Sequence, residues 1–182
     1  MNYYGAKQLA ESFRTVRKNT IGIANEIPED KYGFKAVPEV MSVGEMLAHV
    51  AVTPMWQIDL HGKRIDRIEF EMFAARRDET KAAEAALRTK ADIIRALEDN
   101  GEKFARFLDG LDEATLESTV TFPAPVSSSP KTRFEMLLGV KEHEMHHRGQ
   151  LMLVQRLLGQ VPHLTRSRQQ MQAQAAAARS GA

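Results

Sequence analysis

The chain has 182 residues, 43% of them hydrophobic and 27% charged, which is typical of a single globular domain. Its formal net charge of +1 gives no electrostatic reason to expect a nucleic acid or a membrane surface as a partner. The lack of cysteine excludes disulfides, thiolate metal ligands and a cysteine nucleophile. A polar N-terminus and the lack of any apolar run of about 18–20 residues predict a cytoplasmic protein without a membrane span.

The first half of the chain predicts two helices separated by a proline- and glycine-containing loop. The first is expected over about residues 5–25, where large apolar residues recur at helical spacing. The second begins at Ser42, because Ser42 and Glu45 have the spacing of a capping box, in which each side chain bonds the other's backbone N–H. Pro54 is expected to kink this helix or to break its hydrogen bonding, because proline lacks the N–H that a helix interior uses.

The second half predicts two more long helices. Residues 62–77 fit either a short helix or an ordered crossover, whereas a stripe of apolar residues predicts a third helix over about residues 80–108. The last helix is expected over about residues 131–158, with Gly159 as a stop signal. The sequence therefore predicts an all-α four-helix bundle over residues 1–165, with a crossover between helices 2 and 3. A basic, Ala- and Gln-rich tail follows at residues 166–182.

Histidines on the last helix are the candidate functional residues. His143 and His147 are four residues apart, so they share the helix face that also carries Val140 and Leu151. Two inward imidazoles need partners for their nitrogens, and one metal ion would satisfy both. His49, on the inward face of the second helix, is the candidate third ligand. Spacing alone leaves open the alternative that these histidines pair with carboxylates instead.

The same segment also matches the H-E-x-x-H pattern of zinc metalloproteases, in which the glutamate is the general base. A protease is disfavoured because no acidic residue follows Glu144 and because Gln150 stands where the extended motif requires glycine. Glu144 and His146 remain candidate catalytic residues, each about 100° around the helix from one of the paired histidines.

Three further residues receive weaker interpretations. Trp56 is a candidate for contact with a cofactor, and a place in the core is the alternative. His61 and His163 are expected at the surface.

Two segments resemble the DinB/YfiT-like superfamily of bacterial four-helix bundles. Residues 41–51 have its S-x-x-E-x-x-x-H pattern, and residues 143–151 have its H-x-x-H-H-R-G-Q pattern. The resemblance implies that His49, His143 and His147 bind one divalent ion, which is zinc, nickel, iron or manganese in that superfamily.

The resemblance also implies an activity and a partner. Characterised relatives include transferases and isomerases that use a low-molecular-weight thiol such as mycothiol, bacillithiol or glutathione. We therefore expect a metal-dependent S-transferase or hydrolase, in which the ion activates a thiol or water, with a small-molecule substrate and a homodimer. The alternative is a non-catalytic, stress-related metal-binding protein.

Overall fold

The computed structural model describes residues 4–180 and confirms the all-α prediction. Residues 1–3 and 181–182, the outer ends of the predicted bundle and tail, lie outside the described residues. The helices are α1 (Ala6–Glu26), α2 (Val43–Val52), α3 (Pro54–Gly62), α4 (Phe70–Ala86), α5 (Lys90–Asp109), α6 (Glu113–Glu117), α7 (Arg133–Leu157) and α8 (His163–Ser180), with one 3-10 turn at Glu29–Lys31.

Four long segments form the predicted bundle. Helix α1 packs against α5 and α7, and α2 packs against the same two helices, so α1 and α2 stand at opposite corners. Two apolar clusters fill the interior, one around Leu9, Phe13 and Phe104 and the other around Leu47 and Leu97. Two buried charged residues, Arg17 of α1 and Glu144 of α7, lie along their helices between members of one cluster and members of the other.

The second helix follows the prediction. Ser42 Oγ accepts the N–H of Glu45 at 3.2 Å, and the Glu45 carboxylate accepts the N–H of Ser42 at 2.7 Å, so the capping box is present. Pro54 divides the predicted helix into α2 and α3, since it occupies the first position of α3, where the missing N–H costs nothing.

The prediction of one helix over residues 80–108 is wrong, because the chain breaks at residues 87–89 into α4 and α5. Thr89 starts α5: its Oγ1 accepts the N–H of Asp92, and the Asp92 carboxylate accepts the N–H of Thr89, both at 3.1 Å. These bonds satisfy N–H groups at the helix end, so they favour the start of a new helix at Thr89 over the continuation of α4. Helix α4 is the crossover, and it packs against α2.

A short antiparallel ladder was not predicted. Strand β1 (Thr119–Val120) pairs with β2 (Lys131–Thr132), and Arg67 forms a parallel bridge with Thr121. Strands of two residues are too short to produce an alternating pattern in the sequence. The ladder fixes the start of α7.

The predicted tail is mostly helical. Helix α8 begins at His163, after Gly159 has ended the preceding helix with a positive φ of 77°. From residue 166 to residue 179 its side chains are exposed. None of the described helices has the length and apolar character needed to cross a membrane.

Candidate metal centre

Helices α2 and α7 bring His49, His143 and His147 together. The Nε2 atom of His143 lies 3.2 Å from Nε2 of His49 and 3.1 Å from Nε2 of His147. One ligand atom from each of the three residues lies within 4.8 Å of the others. His147 is buried, whereas His49 and His143 are partly exposed, so the cluster lies at the edge of the core.

The other ring nitrogens of two of these histidines are held by side-chain oxygens. Nδ1 of His49 lies 2.7 Å from a carboxylate oxygen of Glu84 on α4, and Nδ1 of His147 lies 2.8 Å from Oε1 of Gln150. Because these oxygens accept, each ring carries its proton on Nδ1 and presents a lone pair at Nε2. This hydrogen-bonding pattern is common for histidines that bind metals.

The donor set fits a divalent cation. Three nitrogens that bind one ion at about 2.0–2.1 Å with tetrahedral angles stand roughly 3.3 Å apart, close to the separations of 3.2 and 3.1 Å observed here. The lone pairs of His49 and His147 both face Nε2 of His143, which has at most one proton to offer them. A cation satisfies all three nitrogens at once.

Burial keeps the two histidines of α7 neutral. It lowers the pKa of His143 to about 4, and the neighbouring imidazoles act in the same direction. Burial also lowers the pKa of His147, although its hydrogen bond with Gln150 opposes this. Metals bind neutral imidazole, so both residues are ready to bind near pH 7.

The carboxylate of Glu144 is bound by Arg17 and not by a histidine of the cluster. Glu144 is 2% exposed, and both of its carboxylate oxygens accept hydrogen bonds from Arg17. Both oxygens are occupied by the guanidinium, so no contact supports the predicted role of Glu144 as a catalytic residue, and that role stays a prediction. His146 is exposed, with its ring centre 5.0 Å from that of His147, so it adjoins the cluster without facing into it.

Trp56 packs edge-to-face against Phe73 of α4, with ring centres 6.0 Å apart. Trp56 is partly buried and packs against a small apolar cluster that includes Leu60 and Ile68. This position agrees with the alternative of a core residue, and contact with a cofactor stays a prediction.

The expectation that His61 lies at the surface is wrong. His61 is 1% exposed; its Nδ1 accepts from Arg133 at 2.9 Å, and its Nε2 donates to Gln57 at 2.9 Å. The arginine that covers it comes from α7, a contact that helical periodicity does not reveal. His163 is partly buried rather than exposed, with Nε2 3.5 Å from Asn19 Oδ1.

Sequence reasoning missed Glu84. It lies in a stretch without a recognisable motif, and its contact with His49 depends on how the crossover helix packs against α2. Gln150 was visible in the motif, and its spacing of three from His147 places both on one helix face.

A groove of about 770 Å³ adjoins the centre. It runs between the loop before α2, α2 itself and the end of α4, and its walls include Glu84 and Ala48 but none of the three histidines. The groove therefore adjoins Glu84, the partner of His49, and not the converging nitrogens.

Comparisons with solved structures agree with this fold. The chain superposes on YfiT of Bacillus subtilis with a TM-score of 0.67 at 13% identity, covering 88% of this chain and 91% of that one. YfiT is described as a probable metal-dependent hydrolase with an unusual four-helix bundle topology. A DinB-like protein of B. subtilis, YjoA, matches with a TM-score of 0.63 at 21% identity, covering 85% of this chain and 93% of that one.

A third solved structure, the sibling lethal factor precursor DfsB, matches with a TM-score of 0.61 at 16% identity, covering 88% of this chain and 100% of that one. At these identities the structures show a shared fold. No curated protein sequence matches this chain significantly.

The DinB superfamily model matches residues 12–151, which is most of the chain and includes all three clustered histidines. The chain therefore belongs to the DinB superfamily.

Proposed function

We propose that this protein is a metal-dependent enzyme that binds one divalent ion on His49, His143 and His147. The observation that carries the proposal is the convergence of three Nε2 atoms, two of them with their lone pairs directed inward by Glu84 and Gln150. The description of YfiT as a probable metal-dependent hydrolase supports the same reading.

The proposed reaction is hydrolysis of a small molecule or transfer of a low-molecular-weight thiol to an electrophilic one. A bound divalent ion supplies Lewis acidity, which eases loss of a proton from water or a thiol. Three neutral ligands leave the charge of the ion undiminished, and three protein ligands leave room for a substrate atom. With no cysteine in the chain, the thiol has to arrive as a second substrate.

The residues of the chain have two roles in this proposal. The histidines hold the ion, while Glu84 and Gln150 keep the proton of His49 and His147 on Nδ1 and fix the ring orientations. Zinc, nickel, iron and manganese all accept such a donor set, and the choice among them depends on supply as well as geometry.

A non-catalytic metal-binding protein is the alternative, and one observation favours it. Two carboxylates adjoin the histidines, Glu84 by contact with His49 and Glu144 as the neighbour of His143 in the sequence. Both already have partners, since Glu144 is bound by Arg17 and Glu84 by His49. A general base would then have to come from the substrate or the solvent.

One experiment tests the function and separates these candidates. The protein is purified without a histidine tag, its metal content is measured by mass spectrometry, and hydrolysis of an activated ester and conjugation of glutathione, bacillithiol or mycothiol to an electrophile are assayed. We expect about one ion per chain and turnover in at least one assay, both lost in His143→Ala and both kept in the control His163→Ala. Full metal content without turnover would favour the binding protein; equal metal content in wild type and His143→Ala would contradict the site.

We also propose a homodimer that forms through α7. Leu153 and Leu157 lie four residues apart on one face of α7, and Met145 lies about two turns before Leu153; the three residues are 58%, 57% and 43% exposed. A face of this kind can pair with its own copy about a two-fold axis. Light scattering should give twice the chain mass for wild type and the monomer mass for Leu153→Glu; a monomeric wild type would contradict the proposal.

A cytoplasmic location remains a prediction, which fractionation of the source cells tests.

A further inference from the structure

Arg17 on α1 is a buried cation that contacts the other three helices of the bundle. The residue is 4% exposed. Its Nε and Nη2 donate to the carboxylate of Glu144 on α7 at 2.9 Å each, its Nη1 donates to the carbonyl of Leu97 on α5 at 2.7 Å, and its Nη2 also donates to the carbonyl of Val50 on α2 at 3.1 Å. One guanidinium therefore links all four corners of the bundle.

These contacts lie beside the candidate metal ligands. Val50 directly follows His49 in the sequence, and Glu144 directly follows His143. The guanidinium thus holds the backbone next to one ligand and the side chain next to the other. Because α2 and α7 each contribute ligands, their relative placement sets the separation of the nitrogens, 3.2 Å between His49 and His143.

The approach of α5 is adapted to this arginine. A Cβ atom at Gly101 would stand 2.8 Å from Cγ and 2.9 Å from Nη1 of Arg17, which is closer than packed atoms allow. The side chain cannot easily move aside, because hydrogen bonds to three helices hold its far end. Glycine at this position lets the arginine pass into the bundle centre.

Stability alone is a poor reason for such a pair. Burying two charges costs solvation energy, and apolar side chains of similar volume often replace a buried ion pair without loss of stability. An apolar pair at positions 17 and 144 would form neither the directional hydrogen bonds between α1 and α7 nor the bond to the carbonyl of Val50 on α2. We propose that the Arg17–Glu144 pair is a positioning device that sets the placement of α2 against α7 at which His49, His143 and His147 share one ion. This inference rests on the proposed metal site.

The test separates positioning from stability. The double variant Arg17→Met/Glu144→Leu fills the same space without charge, and thermal unfolding followed by circular dichroism shows whether it folds. Zinc affinity is measured by competition with a chromophoric chelator, and the visible absorption of the cobalt(II)-loaded protein reports the coordination geometry. We expect a folded double variant that binds zinc at least tenfold more weakly than wild type and has a changed cobalt spectrum.

A matched control is available one turn earlier on α1. Arg14 pairs with Glu102 of α5 at 3.1 Å, and both side chains are partly exposed. Their other ion-pair partners, Asp109 and Arg106, also lie on α5, which carries no ligand. Arg14→Met/Glu102→Leu should therefore keep the zinc affinity and the cobalt spectrum of wild type. An effect of similar size in this control would overturn the inference.

Two further outcomes are decisive. A folded double variant that binds zinc as tightly as wild type, with the same cobalt spectrum, would overturn the inference and leave the proposed function intact. A wild type that binds none of zinc, nickel, iron(II) and manganese would overturn the proposed function and this inference with it. If the double variant does not fold, Glu144→Gln, which keeps the shape and one acceptor oxygen, takes its place with the same two readouts and the same expected and contradicting results.

Discussion

The hydrogen bond between Glu84 and His49 predicts how strongly a residue outside the ligand set controls metal binding. Glu84→Gln keeps the side-chain shape and an acceptor oxygen but removes the negative charge. The carboxylate oxygen is 2.7 Å from Nδ1 of His49, which puts it roughly 6–7 Å from an ion bound at Nε2 at the usual distance. The attraction between a carboxylate and a divalent ion at that separation is about 1 kcal/mol in water and about 5 kcal/mol at an effective dielectric constant of 20.

The side chains of His49 and Glu84 are 28% and 25% exposed, so the true value lies between those limits. We expect metal affinity to fall about 10- to 100-fold, or about 1.4–2.7 kcal/mol, as is usual for such carboxylates. Competition with a chromophoric chelator measures this affinity. The control is Glu79→Gln on the same helix, whose side chain is 70% exposed and lies 3.6 Å from Arg76. Equal zinc affinities for wild type and Glu84→Gln would refute the reasoning.

Three predictions concern stability and can be measured by chemical denaturation. Burial lowers the pKa of His61 to about 4, so between pH 6.5 and pH 4 this histidine binds a proton in the unfolded chain but not in the native protein. The free energy of unfolding should therefore fall by up to about 3 kcal/mol as the pH drops through this window. A His61→Gln variant whose stability depends on pH as steeply as that of wild type would contradict this. Thr89→Ala removes the cap that starts α5 and should cost about 1 kcal/mol, whereas no loss would mean that the cap does not define the helix start. Gly101→Ala should destabilise by about 1–3 kcal/mol because its Cβ meets Arg17. Gly139→Ala, with open space around the new Cβ, should instead stabilise by about 0.5–1 kcal/mol, and a stabilised Gly101→Ala would count against the close contact.

Local signals in the sequence predicted much of the fold. The capping box at Ser42, the proline at position 54 and the stop at Gly159 act through the nearest few residues, and each lies where it was predicted. The break at residues 87–89 was missed because the apolar stripe continues across it, although Thr89 and Asp92 supply the spacing of a cap. The strand pair and the burial of His61 depend on contacts between distant segments, which a single sequence does not display.

The same distinction applies to the candidate site. Spacing placed His143 and His147 on one face of α7, and the family resemblance pointed to His49 across the bundle. The structure brings one ring nitrogen of each residue within 4.8 Å of the others. Glu84 could not be identified, because its approach to His49 follows from the path of the crossover helix. The role of Glu144 was equally hidden, because its partner Arg17 lies 127 residues earlier.

Anomalous X-ray diffraction from crystals of the untagged, metal-supplemented protein tests the central claim most directly. The proposed function predicts one strong peak about 2.0–2.3 Å from the Nε2 atoms of His49, His143 and His147, and no peak there in His143→Ala. A fully ordered triad without a peak at saturating metal, or a peak bound only by other residues, would contradict it.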